Sequence, residues 1–129
     1  MKSTLLVLIL SVVAQQSLAS TLKCASTKES TEQVKVKITT DAFSTDDYSG
    51  PASVEVKGLH DSFMNVKTDK AVYMKLENNG GNPLIMVPLE YKGDGQLLIV
   101  FADSQGTKAS LQHVSVDDEY TVFAELNCK

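Results

Sequence analysis

An antiparallel β-sandwich of seven to eight strands, its ends joined by one disulfide, is the architecture that this 129-residue sequence calls for. Apolar and polar residues alternate with period two, as at Val34, Val36 and Ile38 with Lys35 and Lys37 between them. Such alternation marks half-buried antiparallel strand. Turn-forming residues interrupt it at short intervals, and no helical pattern stands beyond the N-terminal segment. Residues 97–102, Leu-Leu-Ile-Val-Phe-Ala, form the most continuous apolar run outside that segment. The run is too short to span a membrane and fits a central strand buried on both faces.

Taken in order, the chain opens with Met1-Lys2 and an apolar run over 5–14, the form of a signal peptide. Small residues at Ser17 and Ala19 place cleavage after Ala19, with Ala14 as second choice. That gives 1–19 as signal and 20–129 as a single secreted domain. A retained N-terminal anchor is the alternative, although the run is short for roughly 30 Å of hydrocarbon. No later segment is apolar enough to span. The whole chain carries a net charge of −4, and removal of Lys2 takes it to −5. Every basic residue is lysine, and neither arginine nor tryptophan occurs. A nucleic-acid binder needs the opposite balance and arginine forks, so that class is excluded.

Cys24 and Cys128 stand near the two ends of the mature chain. In an oxidising compartment their pairing is the economical arrangement; a free thiol or an intermolecular bridge is the alternative. With only His60 and His113 to join them, they do not make a zinc site.

Strands follow at 33–40 and 52–57, separated by a loop over 41–51 that ends in Gly50-Pro51. Residues 59–70 are either one loop or a short strand at 63–66 followed by a turn at Asp69-Lys70. A strand at 71–77 precedes an Asn/Gly/Pro turn at 78–83. Residues 84–91 and 97–102 then form a hairpin around Lys92-Gly93-Asp94-Gly95, whose glycines suit positive φ. Pro88 cannot donate to a ladder, which puts the first arm at a sheet edge or a bulge. Polar residues 103–108 lead to two last strands, 109–116 and 119–127, around Asp117-Asp118.

Two stretches resemble PLAT (lipoxygenase-homology) domains. Ile38-Thr39-Thr40-Asp41, a loop and Ala52-Ser53-Val54-Glu55-Val56-Lys57-Gly58 resemble the family's opening, with Thr40 where glycine is usual. Residues 98–103, Gly106, Leu111 and Val114-Ser115-Val116-Asp117-Asp118 resemble its closing pattern, with Ser110 where an aromatic is usual and 120–123 as the final strand. The resemblance implies an eight-stranded sandwich that contacts lipid surfaces or protein partners, sometimes with calcium, and is not catalytic.

Chemistry concentrates in the loop 41–51. Asp41, Asp46 and Asp47 are oxygen donors of the kind calcium takes six to eight of, and Phe43 and Tyr48 beside them are suited to a headgroup layer or a partner. A solvated acidic loop with its aromatics tucked onto the fold is the plainer alternative. Loops alternate between the two ends of an antiparallel fold. If 63–66 is a strand, the Asp41 loop shares its end with Asp94, Asp117, Asp118 and Glu119. If it is not, the neighbours are Asn78, Asn79, Asn82 and Asp103. The PLAT resemblance favours the second set and makes Asp103 the fourth candidate metal ligand; loop length favours the first.

Catalytic patterns are missing: there is no Gly-x-Ser-x-Gly, no His-Glu-x-x-His and no phosphate-binding glycine loop. His60 and Asp61 are adjacent and would face opposite ways on a strand. No Asn-x-Ser/Thr sequon occurs. The sequence thus reads as a secreted, non-catalytic binding module that contacts a lipid surface or an extracellular protein, with calcium as the one candidate cofactor. The alternative is a protein-interaction module of another sandwich family, which would show a contiguous apolar patch on one sheet face.

Overall fold

The computed structural model describes residues 20–58, 65–89 and 95–129. Eight strands follow one another: β1 (Ser20–Ser26), β2 (Val34–Thr40), β3 (Ser49–Gly58), β4 (Val66–Lys75), β5 (Pro83–Pro88), β6 (Gln96–Phe101), β7 (Lys108–Val114) and β8 (Tyr120–Cys128). Each pairs antiparallel with the next, and β8 pairs back onto β1, so a single sheet closes as a barrel. The expected sandwich is therefore corrected to a barrel. Alternation marks which residues face inward, whether they meet a second sheet or the far wall of their own. What decides here is connectivity: every strand pairs with its sequence neighbour, and no crossover carries the chain to another sheet. Eight strands enclose an interior that side chains just fill.

That interior is apolar. Ile38, Ile85, Val87, Ile99, Phe101 and Leu111 are all 0 % exposed, and Val34, Val36, Val54, Val56, Leu97 and Leu126 join the same core. Burying each such side chain contributes about 1.5–3 kcal/mol relative to leaving it exposed.

Two segments expected in turns or loops lie within strands, and the arm expected at an edge or a bulge is interior. Asp69-Lys70 lies within β4 rather than in a turn, so 66–75 is one strand. A register shift between Ala52 and Val54 of β3 absorbs the irregularity there. Gly50-Pro51, read as the end of a loop, belongs to β3, paired with Tyr73 and Val72. β5 lies between β4 and β6 instead of at an edge, and Pro88 is its last residue, beyond the last β4 pairing at Val72↔Met86. A missing N–H there interrupts no β4–β5 bond. The expected turn at 92–94, the signal 1–19 and the pair His60-Asp61 lie outside the described residues.

The seam between β1 and β8 carries the disulfide. Lys23 and Lys129 exchange two backbone hydrogen bonds of 3.0 Å. The adjacent pair, Cys24↔Cys128, is consequently a non-hydrogen-bonded pair, the position where antiparallel strands approach most closely. The Cα atoms are 4.0 Å apart, both cysteines are buried, and the sulfurs are bonded. Pairing of the two chain ends is thus as expected.

Candidate functional site

Continuity of β4 resolves which loops share an end of the barrel. Residues 41–48, 76–82 and 102–107 lie together, which brings Asp41, Asp46 and Asp47 to the end that carries Asn78, Asn82 and Asp103. Their side chains nevertheless do not converge. The charges of Asp41 and Asp47 act on the Tyr73 hydroxyl inside the barrel. Asp103 folds onto its own loop: Oδ1 accepts the backbone N–H of Gln105 at 3.0 Å and of Thr107 at 2.9 Å, and Oδ2 accepts the Thr107 hydroxyl. Those bonds, the Thr107 hydroxyl first, hold the Asp103 carboxyl below its ordinary range. Among the described residues no group of three or more His, Cys, Asp or Glu side chains is placed to hold a metal ion. Of the expected calcium set Asp41, Asp46, Asp47 and Asp103, Asp103 is already bonded to donors of its own loop.

The two loop aromatics part company. Phe43 turns inward and packs edge-on against Phe101, ring centroids 4.9 Å apart, capping the core at this end. Tyr48 is 71 % exposed. Only the second is available to a lipid or partner. Tyr73 is buried, and burial, reinforced by the charges of Asp41 and Asp47, raises its hydroxyl above the usual tyrosine range. His113 faces Phe123, centroids 6.0 Å apart, near the opposite end.

A second feature lies on the outside. Beyond the inward set, β4, β5 and β6 present apolar residues outward as well. Register places Val72, Met86 and Leu98 in one cross-strand row, continued by Gln112 and Val122. Met74, Leu84 and Val100 form the next row. Val72 and Val122 are 42 % and 48 % exposed, and Met74, Leu84, Met86 and Val100 are half-buried. Leu98 is 9 % exposed and so largely covered, although it is not part of the core cluster. No ionisable group interrupts either row from β4 to β7. Side chains this close across neighbouring strands form one continuous surface. Its signal in the sequence is the run 97–102, apolar at both parities, whose second face fronts the barrel exterior where a second sheet was expected.

Compared with family models, with curated proteins and with solved structures, the chain matches none.

Proposed function

We propose that the protein is a secreted, non-catalytic binding module that docks a protein partner through the apolar outer wall of β4–β6. The observation that carries this is the double row Val72–Met86–Leu98 and Met74–Leu84–Val100, a contiguous uncharged surface on one side of a soluble-sized barrel. Such patches on small domains mark interaction sites. Of the two kinds of contact that the PLAT resemblance implies, a sheet face favours protein over lipid. The Cys24–Cys128 disulfide is compatible with an extracellular location.

The test compares the purified protein with a Val72→Lys/Val122→Lys variant; Val72 is exposed on the wall, and Val122 is exposed on β8 where the same cross-strand row continues. Each is used for affinity capture from the extracellular fraction of its source and for flotation with phosphatidylcholine vesicles. A protein retained by the parent and lost by the variant, with no flotation, supports the proposal. Equal capture by both, or vesicle binding that the variant loses, overturns it.

A further inference from the structure

Across the barrel from the apolar wall, the exterior is a grid of lysines. Lys23 of β1 stands opposite Lys37 of β2, and Lys35 of β2 opposite Lys57 of β3. Lys67 of β4 follows Glu55 in the same row as Lys23 and Lys37. All five lysines are exposed. Because Lys23 turns its N–H and C=O toward Lys129 of β8, its pairing with Lys37 is of the non-hydrogen-bonded kind, with Cα atoms about 4.5 Å apart. Like charges directly opposite are destabilising. One row away, the fold shows the neutral solution: the hydroxyls of Thr21 and Thr39 lie 3.3 Å apart across the same two strands.

The grid is not a by-product of composition. The chain as a whole is acidic, with 16 carboxylates against 12 lysines. Ten of those carboxylates lie in the end loops: Asp41, Asp46, Asp47, Glu77 and Asp103 at one end, Glu29, Glu32, Asp117, Asp118 and Glu119 at the other. On β1–β3 only Glu55 is acidic, 3.8 Å from Lys57, with Asp69 of β4 and Glu125 of β8 at the margins. A repulsive arrangement kept on one wall of an acidic protein is relieved when anions lie between the ammonium groups.

We propose that the outer wall of β1–β3 binds a linear anionic polysaccharide bearing carboxylate or sulfate groups. Neighbouring strands put the ammonium stems about 5 Å apart, and alternate residues on one strand about 7 Å, on the scale of successive sugar residues. The row Thr21, Thr39 and Ser53 borders the lysines with hydroxyls that match those of a sugar. A bilayer is disfavoured, because no aromatic or large apolar side chain stands on this wall to enter it. Nucleic acid is disfavoured by the lack of arginine and of stacking aromatics.

The test measures binding of the purified protein to dextran sulfate and to polygalacturonate, with neutral dextran, phosphatidylglycerol vesicles and a single-stranded oligonucleotide alongside. Saturable binding to either charged polysaccharide is expected, with log affinity falling linearly as log salt rises. Lys23→Gln/Lys37→Gln/Lys35→Gln/Lys57→Gln weakens it at least about tenfold while Tm holds or rises, because repulsion has been removed. The corresponding arginine variant retains binding, and Lys28→Gln/Lys108→Gln leaves it unchanged. Absence of saturable binding to both charged polysaccharides, or an affinity that the quadruple variant keeps, overturns the proposal. So does tighter binding to vesicles or oligonucleotide than to either polysaccharide.

Discussion

Gly50 and Tyr73 are cross-strand partners on β3 and β4, and the tyrosine ring fills the space that a side chain at Gly50 would need. A Cβ placed on Gly50 would sit 2.7 Å from Tyr73 Cε1 and 2.8 Å from its hydroxyl. The ring is 1 % exposed and enclosed by the core, so it cannot swing away freely. Gly50→Ala is therefore expected to cost about 1–3 kcal/mol, the range for overpacking a core. Urea denaturation checks it, with an unchanged m-value showing that the loss is in native packing.

Tyr73 also makes stability depend on alkaline pH. Its folded-state pKa is raised, chiefly by burial and then by the charges of Asp41 and Asp47. Below the ordinary tyrosine pKa of about 10, both folded and unfolded chains hold the proton and the full stability is present. As pH rises from there through the raised folded value, the unfolded chain ionises first and stability is lost. Tyr73→Phe is expected to flatten the decline above pH 10, because the titrating hydroxyl is gone. Denaturation midpoints of both proteins from pH 7 to 11 check it; parallel curves would show that another group titrates.

The strands were legible because their inward sets are regular: Val34-Val36-Ile38 and Ala52-Val54-Val56 alternate without a break. The cysteine pairing followed from two residues near two ends. Closure into a barrel was not legible, since the same alternation serves a sandwich, and the deciding β1–β8 pairing joins segments about a hundred residues apart. β4 was split at Asp69-Lys70 because a polar pair resembles a turn; outward exposure at a register shift satisfies it equally well. The acidic loop is legible, but the count of carboxylates does not say which are already bonded, as Asp103 is. The outer walls are not legible in the sequence, since each forms only when β1–β3 or β4–β6 lie side by side in register.

Asp103 tests that last distinction between a free and a committed carboxylate. Its pKa is lowered, first by the Thr107 hydroxyl and then by the backbone N–H of Thr107. A depressed carboxylate contributes stability that is present above its ordinary value of 3.8 and lost as pH falls through the folded value. Asp103→Asn is expected to lower the thermal midpoint at pH 7, and the difference from the parent is expected to shrink as pH falls below 3.8 through the lowered folded value. Calcium added at pH 7 is expected to shift neither protein. A calcium-dependent rise in the parent alone would restore Asp103 as a metal ligand.

The Cys24–Cys128 bond acts on the unfolded chain as much as on the barrel. Its residues are separated by 104 positions, so it closes nearly the whole described domain into one loop. In the chain-entropy model a loop of that length contributes about 4.7 kcal/mol. The bond also lies at the seam where β1 and β8 share only the register pairs from Cys24↔Cys128 to Ser26↔Leu126, beside the Lys23–Lys129 exchange. A seam that short has few ladder bonds to hold it once the link is cut. Cys24→Ser/Cys128→Ser is accordingly expected to lose about 3–5 kcal/mol. Amides of β1 and β8 should gain hydrogen exchange ahead of those of β5 and β6, which sit in the middle of the sheet. Exchange measured strand by strand checks the order. Uniform acceleration across all eight strands would mean that the barrel opens as one unit and that the disulfide sets global stability without guarding the seam.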